Sequence, residues 1–226
     1  MIRASVSHPS LAGTALGGGA SPWAVPAGVA QEEARDAAFP PRQSRPGAGV
    51  VGLLIFLGTE AMFFAGLMSA FVILRAGAAG WPPPGQPRLP LGISGLNTLV
   101  LLASGVTMRA ALRALRADRR REVNRWLAAT AVLGATFLAV QGSEWVRLLR
   151  HGLSVTASVY GALFYTLIGA HGLHVLGALG ALGLVLVRAR RGRYSAAACR
   201  GVELCWIYWC FVVGVWPVLY ALVYLG

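Results

Sequence analysis

The chain has 226 residues, 56% of them apolar and only 12% charged, a composition that excludes an ordinary soluble globular domain. Its net charge of +12 invites a nucleic-acid reading, but the arginines sit in short gaps between long apolar runs, the pattern of membrane loops. No nucleic-acid partner is therefore expected. Three cysteines, Cys199, Cys205 and Cys210, have no C-x-x-C spacing and point to neither a zinc site nor a disulfide framework.

Residues 1–46 are rich in Gly, Ala, Ser and Pro and read as a flexible N-terminal tail. No solid apolar run precedes the small-residue stretch "SPWAVPAGVA". A cleaved signal peptide is therefore not expected, and the first apolar segment would act as an uncleaved anchor.

Residues 47–226 carry five apolar segments, at about 47–74, 91–108, 126–145, 158–187 and 202–225. Each can cross a hydrocarbon core of about 30 Å, which needs about 20 residues. The predicted fold is an all-α membrane protein, a bundle of five transmembrane helices. The fourth segment is overlong, so tilt or a shorter true span is expected. Cys205 and Cys210 fall inside the last segment, where a small apolar role suits them.

The connections set the orientation. Arg113, Arg116, Arg119, Arg120, Arg121 and Arg125 lie between segments two and three, and Arg188, Arg190, Arg191, Arg193 and Arg200 between four and five. The other two connections hold only Arg75 and Arg88, and Arg147 and Arg150. The positive-inside rule then places the N-terminus in the cytoplasm and the C-terminus outside. Trp126 and Trp145 are spaced to anchor the third helix at both interfaces. In "WPPPGQPRLP" the prolines that follow Trp81, beginning with Pro82 and Pro83, cannot continue a helix and make a stiff outer loop.

Charges inside spans are costly, about 2.5–3.5 kcal/mol each on insertion scales. Glu60, in "GTEAMFFAG", is the deep one and should face protein, protonated or hydrogen-bonded. Glu144 and Glu203 lie near span ends, close enough to reach the interface. In "GAHGLHVLG", His171 and His174 lie about 60° apart on a stripe with Phe164, Leu167 and Ala178. Both leave one face of one helix, so they cannot be opposed axial ligands of a haem. A metal site would need further ligands, which Glu60 or Glu144 could in principle supply. The alternatives are a proton-handling pair or two imidazoles hydrogen-bonded across helices. Gly169, Gly172, Gly177, Gly180 and Gly183 are expected to let neighbouring helices approach closely.

These segments resemble a known family. "GTEAMFFAG" resembles the S-E-x-M-F-F-x-G segment of subunit III of the haem–copper oxidases. "WPPPG…LPLGISGLNTLVLLASGVTM" is similar to that family's W-P-P-x-G…L-P…N-T…L-L-x-S-S-x-T stretch, and "QGSEW" to its F-Q-x-x-E-W. "YGALFYTLIGAHGLHVLGAL" resembles its Y-G-S-x-F-F-x-x-T-G-x-H-G-x-H-V-x-x-G, and "YWCFVVGVW" its Y-W-H-F-V-D-x-V-W. The five matches run in order from about residue 50 to the C-terminus.

The resemblance implies the short, five-helix form of cytochrome c oxidase subunit III, which lacks the first two of seven helices. It implies a non-catalytic, multi-pass subunit of the bacterial inner (plasma) membrane, without haem or copper of its own, those centres lying in partner subunits. Such a subunit packs on subunit I of an oxidase that also contains subunit II, holds phospholipid and supports proton uptake. Glu60 would be the family's buried glutamate, and His171, His174 and Glu203 polar residues of the bundle.

Three departures stand in the last motif. Cys210 replaces its histidine, Val213 its aspartate, and Gly214 an apolar residue. A polar contact in the outer half of the last helix is therefore expected to be missing, which leaves room for a member serving a quinol oxidase or a nitric oxide reductase. Readings from other classes are a proton-coupled transporter using Glu60 and the histidines, or a metal enzyme using the histidine pair.

Overall fold

The structure, a computed structural model, describes residues 47–81, 83, 91–156, 158–196 and 198–225. The N-terminal tail, Pro82 and most of the proline-rich loop lie outside the described residues. Five helices follow in chain order: α1 (Ala48–Ala76), α2 (Leu91–Arg116), α3 (Arg120–Arg150), α4 (Val159–Arg190) and α5 (Arg200–Tyr220). A π-helical turn, Ala221–Leu225, completes α5. All five are long and apolar enough to cross a membrane.

The apolar runs locate the spans, but several helices extend beyond them. α2 continues eight residues past the predicted end at Met108, and α3 starts six before Trp126. Hydropathy marks lipid depth, whereas arginine is a good helix former and lets a helix continue into water. The arginine-rich loop predicted between segments two and three is therefore mostly helix. Arg113 and Arg116 form the last turn of α2, while Arg120, Arg121 and Arg125 belong to α3. Only residues 117–119 connect the two. Asp118 takes a left-handed φ of 53°, and Arg119 N–H returns to Ala114 O at 2.9 Å, closing α2. α4 is 32 residues long, about 48 Å. Its N-cap Ser158 accepts a hydrogen bond from Gly161 N–H at 3.1 Å.

α2 and α5 are joined by polar side chains that hydropathy does not distinguish. Trp209 Nε1–H donates to Ser104 Oγ at 3.1 Å, and Trp216 Nε1–H to Thr98 Oγ1 at 2.8 Å. Asn97 Nδ2 donates to Phe137 O on α3 at 3.0 Å, and Thr107 and Thr130 hydroxyls meet at 2.8 Å. Lipid is as apolar as leucine, so such bonds and close packing hold membrane helices together, at about 0.6–2 kcal/mol each. α1 differs, because Phe64 and Phe71 are its only buried residues.

The glycines of α4 behave differently from expectation. A Cβ on Gly177, Gly180 or Gly183 would have nothing within 4 Å, so these three bring no helix closer. Gly169 and Gly172 do meet a neighbour, the ring of Trp145, at 3.4 and 3.9 Å. The tight approaches lie elsewhere. A Cβ on Gly134 would stand 2.6 Å from the Trp209 indole, and one on Gly161 2.2 Å from Ser154 O. Trp126 is exposed, whereas Trp145 is partly buried against α4 and stacks edge-on to Tyr165 at 5.8 Å.

Candidate functional site

Glu60 lies near the middle of α1 and His174 near the middle of α4, and the fold brings them together. His174 Nε2 and Glu60 Oε2 are 2.6 Å apart, with both side chains under one-fifth exposed. The opposite ring nitrogen, Nδ1, is 2.7 Å from Ala170 O. A carbonyl oxygen can only accept, so Nδ1 must carry a hydrogen. The short Nε2–Oε2 contact then needs one further proton, on the carboxyl or on the imidazole. Either way the pair is neutral overall, which removes the main cost of an ionisable group at membrane depth. Phe63 and Phe64 flank the imidazole, at ring separations of 6.2 and 5.0 Å.

His171 parts company with its neighbour. It is 1% exposed, and neither ring nitrogen has a hydrogen-bond partner among the described residues. Rings of Trp216, Phe137 and Phe64 surround it at 5.0, 6.1 and 6.4 Å. The expectation that both imidazoles bond across helices therefore holds for His174 and not for His171. A 60° offset is enough to separate them, since it turns one ring towards α1 and the other into the aromatic core.

Glu144 is covered by the bundle rather than open to solvent. It is 2% exposed; Oε1 lies 3.1 Å from Arg147 Nη1, and Oε2 has no partner among the described residues. Glu203 does remain near the surface, in the first turn of α5, with Arg116 Nη2 at 3.2 Å. Exposed pairs contribute about 0.2–1 kcal/mol. Glu203→Gln should therefore lower stability by no more than about 1 kcal/mol, and thermal unfolding at low and high salt measures it. Trp81 is more than part of a rigid connector. It wedges between Phe71 of α1 and Tyr160 of α4, at 5.5 and 5.0 Å. Pro83 is half-buried beyond it.

Hydropathy does not mark the buried uncharged polar residues, which are Ser94, Asn97, Thr98 and Ser104 on α2, and Thr130 and Gln141 on α3, among the described residues. Spacings of three, four and seven along α2 were the available signal. Gln141 Nε2 donates to Tyr224 OH at 2.9 Å. Among the described residues no three His, Cys, Asp or Glu side chains come together.

The family model described as cytochrome c oxidase subunit III matches residues 46–226. The chain belongs to the cytochrome c oxidase subunit III family. A protein of Synechocystis sp. named cytochrome c oxidase subunit 3 is 38% identical over 181 residues, covering 80% of this chain and 76% of its own. The namesake from Thermostichus vulcanus is 35% identical over 80% of this chain and 88% of its own. A probable cytochrome c oxidase subunit 3 of Nocardia farcinica is 37% identical, with 80% and 89% covered. This subunit III is thus a non-catalytic, multi-pass membrane component of a haem–copper oxidase and works in a complex with other oxidase subunits.

The departures in its last motif have a local counterpart. Val213 is buried, and its Cγ1 lies 3.5 Å from where a Cβ on Gly105 would stand. Gly105 occupies the second serine position of the family's S-S-x-T stretch, so two polar positions are replaced by a matched apolar contact. The C-terminal half of α5 nevertheless keeps polar contacts, through Trp216, Tyr224 and Tyr220, whose hydroxyl donates to Leu91 O at 3.0 Å. Cys210 is exposed.

Proposed function

We propose that this chain packs on subunit I of a haem–copper oxidase that also contains subunit II, in the bacterial inner membrane, with the N-terminus and the arginine-rich ends in the cytoplasm. Haem and copper reside in those partner subunits, and this chain contributes lipid binding and support of proton uptake. The observation that carries the proton reading is the Glu60–His174 contact of 2.6 Å, one proton held between two mid-helix side chains. Because the pair is partly exposed on the α1–α4 surface, that proton can exchange with a partner subunit or with water entering beside it. Glu144, His171 and Glu203 have structural roles in this reading: a buried carboxylate tied to Arg147, a ring packed in the aromatic core, and a surface ion pair. Broad apolar exposure along α1, including Leu54, Ile55, Met62 and Ile73, suits contact with lipid and with neighbouring helices.

The test is affinity purification through a tag on this chain. Subunits I and II should copurify, with haem and copper spectra present in the complex and absent from the chain alone. Stoichiometric haem in the isolated chain would overturn the proposal. Recovery of a quinol-oxidising or nitric-oxide-reducing catalytic subunit instead would place the chain in that assembly. Proton flux in liposomes holding this chain alone, abolished by Glu60→Gln, would favour the transporter reading.

A further inference from the structure

The arginine-rich ends of α2, α3, α4 and α5 meet at one end of the bundle, where Arg116 reaches Glu203 and Arg120 lies against Gly192. Among the described residues the carboxylates at this end are Asp118, Glu122 and Glu203. Each already lies against an arginine, Arg120, Arg119 and Arg116 in turn. The remaining arginines there have no ion-pair partner among the described residues. Two of them, Arg109 and Arg113, are set apart by depth. Arg109 comes directly after Met108, where the apolar run of α2 ends, and both side chains are exposed. Spacings of four and three place Arg109, Arg113 and Arg116 on one stripe of α2, at its edge towards α5. Arg116 is held there by Glu203, and Arg109 is close enough to Cys210 of α5 for its charge to act on that thiol.

Towards the membrane interior the same stripe continues, at the same spacing, through Val106 and Leu102, which are 70% and 40% exposed. On α5, Cys210 is exposed, and one turn further a Cβ on Gly214 would have nothing within 4 Å. Both are positions at which the last motif departs from the family's pattern, and both leave this edge open. A charged end above an open apolar edge matches the two parts of a phospholipid. A cation at the border of the hydrocarbon layer is costly unless it finds an anion, and the arginine stem is long enough to carry its charge outwards to the phosphates. A guanidinium holds a phosphate through two parallel hydrogen bonds. Arg113, about 6 Å further along the axis, can close on the same headgroup from the water side. A zwitterionic headgroup balances its phosphate with its own ammonium, so the surplus of unpaired arginines favours a headgroup of net negative charge. A partner protein would have to bury a carboxylate at this depth, whereas a lipid brings its anion to that level. We infer that the α2–α5 edge binds one anionic phospholipid, with its phosphate between Arg109 and Arg113. This inference rests on the lipid-binding part of the proposed function and deepens it, and it needs no oxidase partner.

The test is native mass spectrometry of the purified full-length chain, delipidated in detergent and titrated with phosphatidylglycerol or with phosphatidylcholine of the same acyl chains. One phosphatidylglycerol per chain should bind first, at a half-saturating concentration at least about tenfold below that of phosphatidylcholine. Arg109→Gln combined with Arg113→Gln should raise that concentration about thirtyfold, about fivefold for each arginine. Arg190→Gln combined with Arg193→Gln removes the same charge from the end of α4 and should change it less than about twofold. All four side chains are exposed, so both double variants should fold. Free glycerol phosphate should not displace the lipid. Equal binding of the two lipids would overturn the inference while leaving general lipid binding in place, and no binding of either would remove both. Equal losses in the two double variants would also overturn it, leaving a diffuse positive surface. Displacement by glycerol phosphate would do the same, leaving a phosphate site without a lipid.

Discussion

Glu60→Ala is expected to loosen α1 from the bundle, whereas Glu60→Gln should leave it in place. Alanine leaves His174 Nε2 without a partner at mid-membrane depth, a loss of about 1–3 kcal/mol. The effect falls on α1 because only Phe64 and Phe71 are otherwise buried there. Glutamine keeps a bond, its amide N–H donating to the imidazole lone pair left by the Nδ1–Ala170 contact. What it cannot keep is the exchangeable proton. The assembled oxidase carrying Glu60→Gln should therefore retain this subunit yet take up protons more slowly. Copurification yield and limited proteolysis at the α1 end measure the first, and pH-indicator kinetics the second. Equal loss of assembly in both variants would show that the fold itself needs the proton.

Gly161→Ala should be the most damaging single methyl in the bundle. The new carbon would meet Ser154 O at 2.2 Å. That oxygen is backbone and cannot rotate away, so the connection between α3 and α4 must move. The Ser158 cap on Gly161 N–H would be disturbed with it. Overpacking of about 1–3 kcal/mol plus about 1 kcal/mol for the cap gives a loss of about 2–4 kcal/mol. Gly134→Ala should cost about 1–3 kcal/mol, by pushing Trp209 off its bond to Ser104. Gly180→Ala is the matched control. It meets open space, so stability should be unchanged or slightly raised by helix propensity. Thermal unfolding of the four proteins in one detergent tests the order. A Gly180→Ala loss as large as that of Gly161→Ala would contradict the packing described here.

The difference between these glycines was not legible in the chain. "GAHGLHVLGALGALG" repeats glycine at helical spacings, and small residues at such spacings commonly mark helix contacts. Which of them face a neighbour depends on how α4 is rotated, and rotation is set by what packs around it. The same holds for the histidines. Their spacing gives the 60° between them, but not which ring turns to α1 and which to Trp216. Glu144 shows the limit of reading depth from position alone: six residues from the end of α3, it is still covered by the bundle.

The linear order of residues by itself determined the membrane class, the five spans and their approximate edges, because transfer from water to lipid is a local property summed along the chain. It also singled out Glu60 as a group requiring a partner, since a mid-span carboxyl cannot remain unsatisfied. The identity of that partner, His174, was a matter for the tertiary structure alone, being 114 residues away on another helix. So were the indole bonds of α5 to Ser104 and Thr98 and the burial of Glu144. In a bilayer hydropathy says little about one helix face against another, so pairing and rotation come from packing and hydrogen bonds between distant segments.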